Sequence, residues 1–520
     1  MAKLMSAWRP IAQILRQLGV LSLLIGAAAL SSRAFGEPVT TIRNNGDPAN
    51  RVNMVIVGDG YTAAEMGKYA ADAENAIAGF LAQEPYKEYQ RYFNVLRVDV
   101  ISAESGADHP EASPPVSKNT AFDATYNCGN TVRLICVDVS KVNAVLANSG
   151  IGSDRQDIVL VLVNDPKYGG SGGAVAVASL DPSVIELVLH ETGHSFGLLA
   201  DEYAYDMTPP CGYIQEPPEP NVTAQTNRAS IKWNVGGGPP TGWIDLATAI
   251  PTLSTDPGVP GLYEGAQYCP LGRFRPTFNS KMRNLGVPFE QVNEEQLIKR
   301  IYNLVSPIDS TSPLSSSITV AAGASQSFDV TTPQPDTQLL STQWYVDNAP
   351  VASGSSFQFS SASVAAGTHT VQVVVRDPTS KVRNDPANVL TASRTWTVAT
   401  TGAARRLVSI DIKPGSFPNT INPRSAGEIS VAILSTATFD ATTVDPLSVT
   451  FGPRQARAVR GPIHLVDVNG DGKKDLLLRF RVRDTGIRCG NNSASLGGKT
   501  FSGTEVVGSD SIRTVGCVGK

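Results

Sequence analysis

Between residues 52 and 199 the chain alternates short apolar runs with stretches of helical spacing. Val52-Asn53-Met54-Val55-Ile56-Val57 reads as a buried strand, closed by the tight turn Gly58-Asp59-Gly60-Tyr61-Thr62, and Ala63 to Leu81 reads as a helix. Phe93 to Val100 and Asp157 to Val163 read as further strands, the latter running into the glycine-rich turn Tyr168-Gly169-Gly170-Ser171-Gly172-Gly173 and then Ala174 to Ser179. The apolar Val184-Ile185-Glu186-Leu187-Val188-Leu189 opens a buried helix. Its start signals are Asp181 or Ser183 as N-cap, Pro182 in the first turn and Glu186 three residues after Ser183. A polar helix is expected over Val292 to Leu304. Strands alternating with helices predict an α/β domain whose central sheet supports the helix after residue 183.

Beyond residue 308 the pattern changes to period two. Short alternating runs such as Gln343 to Val346 and Gly367 to Val375, rich in Ser, Thr and Val, predict an immunoglobulin-like β-sandwich over 309–402, with His369 as a structural strand residue. A second all-β module follows over 403–520. The long Pro- and Gly-rich stretch from Asp206 to Tyr268, with Trp233 and Trp243, is expected to form a binding wall rather than a linker.

Length and charge narrow the picture. A chain of 520 residues exceeds one ordinary core. Positions 1–36 carry Lys3, Arg9 and Arg16, an apolar run from Leu18 to Leu30 and the small-residue site Ala34-Phe35-Gly36, the outline of a cleaved signal peptide. That predicts a secreted, periplasmic or cell-surface protein with no membrane span after cleavage. The formal net charge is −4, nearer −8 without that segment, which excludes nucleic acid as an expected partner. Six cysteines fall into local pairs, predicting disulfides Cys128–Cys136, Cys211–Cys269 and Cys489–Cys517. Gly58-Asp59-Gly60 lacks the lysine and hydroxyl of a phosphate loop and reads as a plain turn.

The chemistry concentrates in His190-Glu191-Thr192-Gly193-His194-Ser195-Phe196-Gly197-Leu198-Leu199-Ala200-Asp201-Glu202-Tyr203. Residues four apart share a helix face, so His190 and His194 can hold one zinc ion, and Glu191 can take a proton from water the metal acidifies and return it to a leaving amine. Gly197 is expected to turn the chain so that a carboxylate completes the set. Asp201 is the chosen third ligand and Glu202 the alternative, with Glu202 orienting a ligand histidine if Asp201 binds. Met282 is either a core residue or a methionine beneath the metal. In the last module Asp467, Asn469, Asp471 and Asp475 stand at calcium-loop positions 1, 3, 5 and 9, with Gly472 at position 6, but position 12 is Leu478 where an EF-hand has glutamate.

The run from His190 to Tyr203, with Gly58 to Thr62, Phe93-Asn94-Val95, Arg97-Val98-Asp99, the Tyr168 to Gly173 turn, Gly261 to Gly265 and the Met282 turn, resembles the IgA-peptidase-type bacterial metallopeptidases over about residues 50–305. The resemblance implies a metzincin-like fold, a secreted single-zinc endopeptidase, His190 and His194 as ligands, Glu191 as catalytic acid/base and a Met-turn at Met282. The metzincin third-ligand position is occupied here by Ala200, one residue before the first carboxylate. From Arg406 onward, Ile410 to Ser416 and Gly508 to Thr514 resemble a module that recurs at the ends of secreted bacterial proteins. The expected architecture is therefore 1–36 signal peptide, 37–308 α/β metzincin-like zinc peptidase, 309–402 Ig-like sandwich and 403–520 β module with a calcium loop. The expected partner is a protein or peptide laid beside the sheet edge, with the β domains binding a surface or polymer. Two other readings stay open: a calcium-stabilised surface-binding protein with a non-catalytic peptidase-like domain, and a zinc hydrolase of non-peptide amides.

Overall fold

The computed structural model describes residues 36–205, 211, 215–253, 255, 258–401 and 405–517. The expected signal segment therefore lies outside the described residues. Six strands form the first sheet: β1 (Val39–Arg43), β2 (Val52–Asp59), β3 (Phe93–Val98), β4 (Ile158–Val163), β5 (Gly170–Ser171) and β6 (Ala176–Ser179), in the order β1-β3-β2-β4-β6-β5. The four inner strands are parallel, and the two edges run antiparallel to their neighbours. All of β2 is buried because both faces are covered. Val52, Met54 and Ile56 face one core with α1 (Met66–Leu81), while Val55 and Val57 face another with Val142 and Leu146 of α2 (Val139–Asn148). The first core also takes α3 (Val184–Ser195) and α4 (Gln291–Leu304).

The plain-turn reading of residues 58–60 is corrected in part: Gly58 and Asp59 are still paired in β2, and only Gly60 bends (φ 71°). Asp59 closes β2 with its carboxylate buried and accepting from the Phe122 and Ala124 N–H groups (both 2.9 Å) and the Thr120 hydroxyl (2.8 Å), which stitches the following loop to the sheet. The first helix begins with a separate 3-10 turn at Ala63–Glu65, where Thr62 and Glu65 form a capping box.

The stretch expected as a binding wall is mostly a satellite core. Trp233 and Trp243 are buried with Ile231, Ile244, Leu262, Phe274 and Val292, and both indole N–H groups are bonded, to Gly261 O (2.9 Å) and Glu295 Oε2 (2.5 Å). Aromatic N–H groups need such partners once water is excluded. The hairpin β7 (Tyr263–Ala266) and β8 (Cys269–Arg275) follows.

Residues 309–401 form a five-stranded and a three-stranded sheet around Phe328, Trp344 and Trp396. His369 lies on a strand there, bonded to Asp347 (2.7 Å) and Ala365 O (2.8 Å). Residues 405–517 form five- and four-stranded sheets around Ile412, Val431, Phe451, Phe480 and Leu496. Three disulfides join the six cysteines in the expected pairs. No helix among the described residues is long and apolar enough to cross a membrane.

The calcium expectation finds no support. Asp467 accepts from the Gly470, Asp471 and Gly472 N–H groups of its own turn, and Asp471 from the Lys473 N–H. Asn469 accepts from the Asp471 N–H at 3.2 Å. Asp475 is a fully buried strand residue bonded to the Ser435 and Val468 N–H groups (2.7 and 2.9 Å), so its role is to fasten two loops.

Candidate active site

Helix α3 follows β6 after a short turn in which the Ser183 N–H donates to Asp181 Oδ1 at 2.8 Å. The expected capping box does not form, because Ser183 is the N-cap without a side-chain bond. Glu186 is used elsewhere: it pairs with the buried Lys281 ammonium and accepts from the Gly286 N–H (2.8 Å), fixing the segment that carries Met282. At the other end of α3 the turn residue is Leu198 (φ 57°), not Gly197. Glycine at 197 is required by packing instead, since a Cβ there would lie 2.6 Å from Gly193 O and 2.8 Å from Leu297 of α4. Gly193 is required likewise. A Cβ on it would lie 2.6 Å from the Met282 sulfur, so the methionine sits directly under the helix between the two histidines, fully buried.

The imidazoles of His190 and His194 converge, with Nε2 atoms 3.2 Å apart. Each Nδ1 faces a backbone carbonyl, Lys281 O for His190 (3.0 Å) and Leu199 O for His194 (2.7 Å). A carbonyl only accepts, so both Nδ1 atoms carry the proton, and in the neutral rings both Nε2 lone pairs point inward. Asp201 Oδ1 joins them at 3.1 and 3.3 Å. That oxygen is buried and has no hydrogen-bond donor. These three ligand atoms form the one His/Cys/Asp/Glu group among the described residues placed to hold a metal ion.

Glu202 points elsewhere. Its carboxylate is fully buried and filled by Asn221 and Asn293 (both 2.9 Å) and the Ser280 hydroxyl (2.6 Å). The expectation that Glu202 orients a ligand histidine directly is corrected: backbone carbonyls face both Nδ1 atoms, and Glu202 ties Asn221 and Asn293 of α4 to the 280–282 turn, where its N–H also donates to Met282 O (2.8 Å).

Glu191 is buried beside the histidines, and a Cβ on Gly170 would lie 3.0 Å from its Oε1. A Cβ on Gly172 would lie 2.6 Å from the His194 Cβ. Gly170 and Gly172 thus allow close approach to α3, while a Cβ on Gly169 would meet Tyr126 and Arg133 O instead. The edge at Gly170 is already used, its N–H donating to Arg133 O (3.2 Å) and its carbonyl accepting from Ile135 (3.4 Å), so no substrate strand pairs at that residue.

Burial pushes the Glu191 carboxyl up from its ordinary value, with His190 and His194 opposing the shift. At His194 burial disfavours charge, but the Asp201 carboxylate beside the ring outweighs it and pushes the imidazole up to about 9. Burial would raise the Asp201 carboxyl, but the two imidazoles, when protonated, outweigh it and hold the group far below the usual carboxylate range. A cation in this position competes with a proton for the same lone pairs.

The groups border a cleft of about 370 Å³ whose further walls include Arg133, Tyr203, Glu219, Gln267 and Tyr268. Arg133 donates to the Tyr203 hydroxyl (2.8 Å), and the rings of Tyr205 and Tyr268 stack at 5.8 Å. None of these roles shows in the local sequence. The nearest signal is Cys269, whose disulfide to Cys211 ties the residue after Tyr268 to the chain that follows Tyr203.

Residues 40–256 match the family described as IgA Peptidase M64. This segment belongs to that family. The peptidase match ends before Tyr268, Met282 and α4, which complete the site from later in the chain. No curated relative matches the chain. Among solved structures, the fibronectin(III)-like modules of Clostridium thermocellum CbhA share 9% identity, covering 41% of this chain and 97% of theirs, with a TM-score of 0.14. A structure described as concerning host cell surface retention of a bacterial ice-binding adhesin shares 14%, covering 40% of this chain and 62% of its own, with a TM-score of 0.16. Likeness at that level says nothing about what the β regions of the peptidase bind.

Proposed function

We propose that the protein is an exported, zinc-dependent endopeptidase of metzincin-like fold, in which His190, His194 and Asp201 hold the metal and Glu191 is the general acid/base. One observation carries the reading. Two imidazole Nε2 atoms and a buried carboxylate oxygen with no donor face one another at 3.1–3.3 Å. Lone pairs at that spacing repel unless a cation or a proton lies among them. Two imidazoles and a carboxylate suit zinc better than the hard cations calcium or magnesium. When bound, zinc supplies Lewis-acid polarisation of a carbonyl and acidification of water.

The chain's own residues supply the rest. Glu191, lifted by burial, is suited to accept a proton from the attacking water and hand it to the departing amine, because general acid/base work favours a carboxyl tuned toward the operating pH. Lys281 O and Leu199 O keep both histidines in the ligating tautomer. Met282 and α4 hold the helix from below. Three disulfides suit an oxidising compartment and support export.

Casein digestion should be abolished by a chelator and restored by zinc. Glu191→Gln should keep its zinc and lose turnover by several orders of magnitude, since binding and proton transfer use different residues. Near-normal proteolysis by that variant would remove the mechanism.

A further inference from the structure

We infer that the Tyr268 hydroxyl is a positioning residue for the metal site, clamping one oxygen of Asp201 so that the other faces the histidine pair. This rests on the zinc reading above. Tyr268 donates to Asp201 Oδ2 at 2.5 Å, while Oδ1 has no donor and stands 3.1 and 3.3 Å from the two imidazoles. The carboxylate is thereby divided into a clamped oxygen and an open one. Without the clamp it could turn about its last bond and present either oxygen, or both, to the same space.

The backbone that delivers Tyr268 is unusual. Gln267 and Tyr268 both have positive φ (48° and 67°), forming a two-residue hairpin turn between Ala266 and Cys269. Such turns favour Asn-Gly or Gly-Gly, and neither residue here relieves the strain. The turn is held against the ligand strand by three backbone bonds: Gln267 N–H to Asp201 O (3.0 Å), Tyr268 N–H to Tyr203 O (2.9 Å) and Tyr205 N–H to Tyr268 O (3.1 Å). The Cys211–Cys269 disulfide fixes the next residue, and the Tyr203 and Tyr205 rings pack on Tyr268 at 5.3 and 5.8 Å. A bulky aromatic residue kept in a glycine-like conformation, with its hydroxyl on the third ligand, is explained by that contact.

The test is zinc affinity of the full chain, measured by competition with a chromophoric chelator, together with the visible spectrum of the cobalt-substituted protein. Tyr268→Phe keeps the ring and removes only the hydroxyl. Its zinc affinity should fall about 10- to 100-fold, the usual effect of losing an outer partner of a ligand, and the cobalt bands should shift. Tyr205→Phe loses a hydroxyl whose one hydrogen bond among the described residues is from Arg133, at 3.4 Å, and should leave both readouts unchanged. Equal loss in the two variants would mean general loosening of the aromatic cluster and would overturn the assignment. So would an unchanged affinity and spectrum in Tyr268→Phe with wild-type zinc binding intact, and the zinc reading would then survive. If the wild-type chain binds no zinc, the zinc reading fails first and takes this inference with it.

Discussion

Residues 309–401 and 405–517 are both all-β, and each closes its own core, yet they meet the peptidase domain differently. The first is joined to it by buried polar groups. Asp377, almost wholly inaccessible, accepts from the hydroxyls of Tyr89 and Tyr302 (both 2.7 Å) and from Gln338 (2.6 Å), and Tyr92 bonds to Tyr302 and Pro333 O (both 3.0 Å). An arm of the sandwich goes further: Leu390 is buried in the peptidase core, with Val382 and Val389 against it. Arg383 stacks over the Trp243 ring at 4.0 Å, and its N–H donates to Glu295 on α4 (3.1 Å). The other side of α4 reaches the site, through Asn293 to Glu202, Gln296 to Gly197 O and Arg300 to Phe196 O. No hydrogen bond or ion pair among the described residues joins 405–517 to the rest. Composition alone made both regions look like appendages. The contacts tie the first to the peptidase region, and among the described residues the second has no such polar tie.

The largest test is deletion. A chain ending at 401 should keep the peptidase melting transition and wild-type kcat/KM on a small peptide. A chain ending at 308 should lose cooperative melting and zinc retention together, since it uncovers the apolar surface that Leu390 covers, strands the buried Tyr89 hydroxyl and leaves those of Tyr92 and Tyr302 with only each other. Calorimetry and zinc content decide the matter, and an active, cooperatively folded 37–308 fragment would reverse the comparison.

A single carboxylate in each region gives a smaller, sharper contrast. Asp377→Ala should destabilise the joined peptidase and sandwich by about 2–4 kcal/mol, because it strands donors that burial has cut off from water. Asp475→Ala removes the partner of the buried Ser435 N–H and the half-buried Val468 N–H inside the last module and should lower that module's transition alone. Scans of the full chain should therefore show two transitions that move independently. One shared transition, shifted by both variants, would count against the separation.

How much of this was legible differs between the halves of the argument. Val52 to Val57, Ile158 to Val163 and Val184 to Leu189 are apolar runs whose period is a local property, and the two-residue alternation of β2 between its two cores follows directly from it. His190, Glu191 and His194 are legible because helix geometry brings residues four apart together. Asp201 was reachable only by counting past the glycine, and even there Leu198 rather than Gly197 makes the turn. Tyr268 and Arg133 were not legible, since each meets the site across about 70 residues through a few polar contacts, which no periodicity records. The junction is harder still. Tyr89 and Asp377 are 288 positions apart, and α4 read as an ordinary polar helix although Asn293 and Glu295 are buried in it as connectors.

The smallest expected effect is on acid stability at the same junction. Glu88 accepts from the Thr337 hydroxyl (2.6 Å) and from the Thr337 and Gln338 N–H groups (both 3.0 Å), bridging the peptidase to the sandwich. Burial alone would raise its pKa, but those hydrogen bonds from Thr337 and Gln338 outweigh it and hold the carboxyl below its ordinary 4.5. A carboxylate depressed in the folded state contributes stability that is fully present above the unfolded value and is lost as the pH falls through the folded one. The carboxylate lies at the surface and is half-buried, so solvent screening should keep the contribution under about 1 kcal/mol. Urea unfolding of residues 37–401 should show wild type ahead of Glu88→Gln by that margin at pH 6, with the gap narrowing once the pH drops below 4.5. The same titration of the isolated last module is not expected to show it, because Glu88 and both its partners lie outside that module. A gap that stays constant down to pH 2 would mean the carboxylate's charge contributes nothing, leaving Tyr89, Tyr92, Tyr302 and Asp377 as the polar groups that hold the junction.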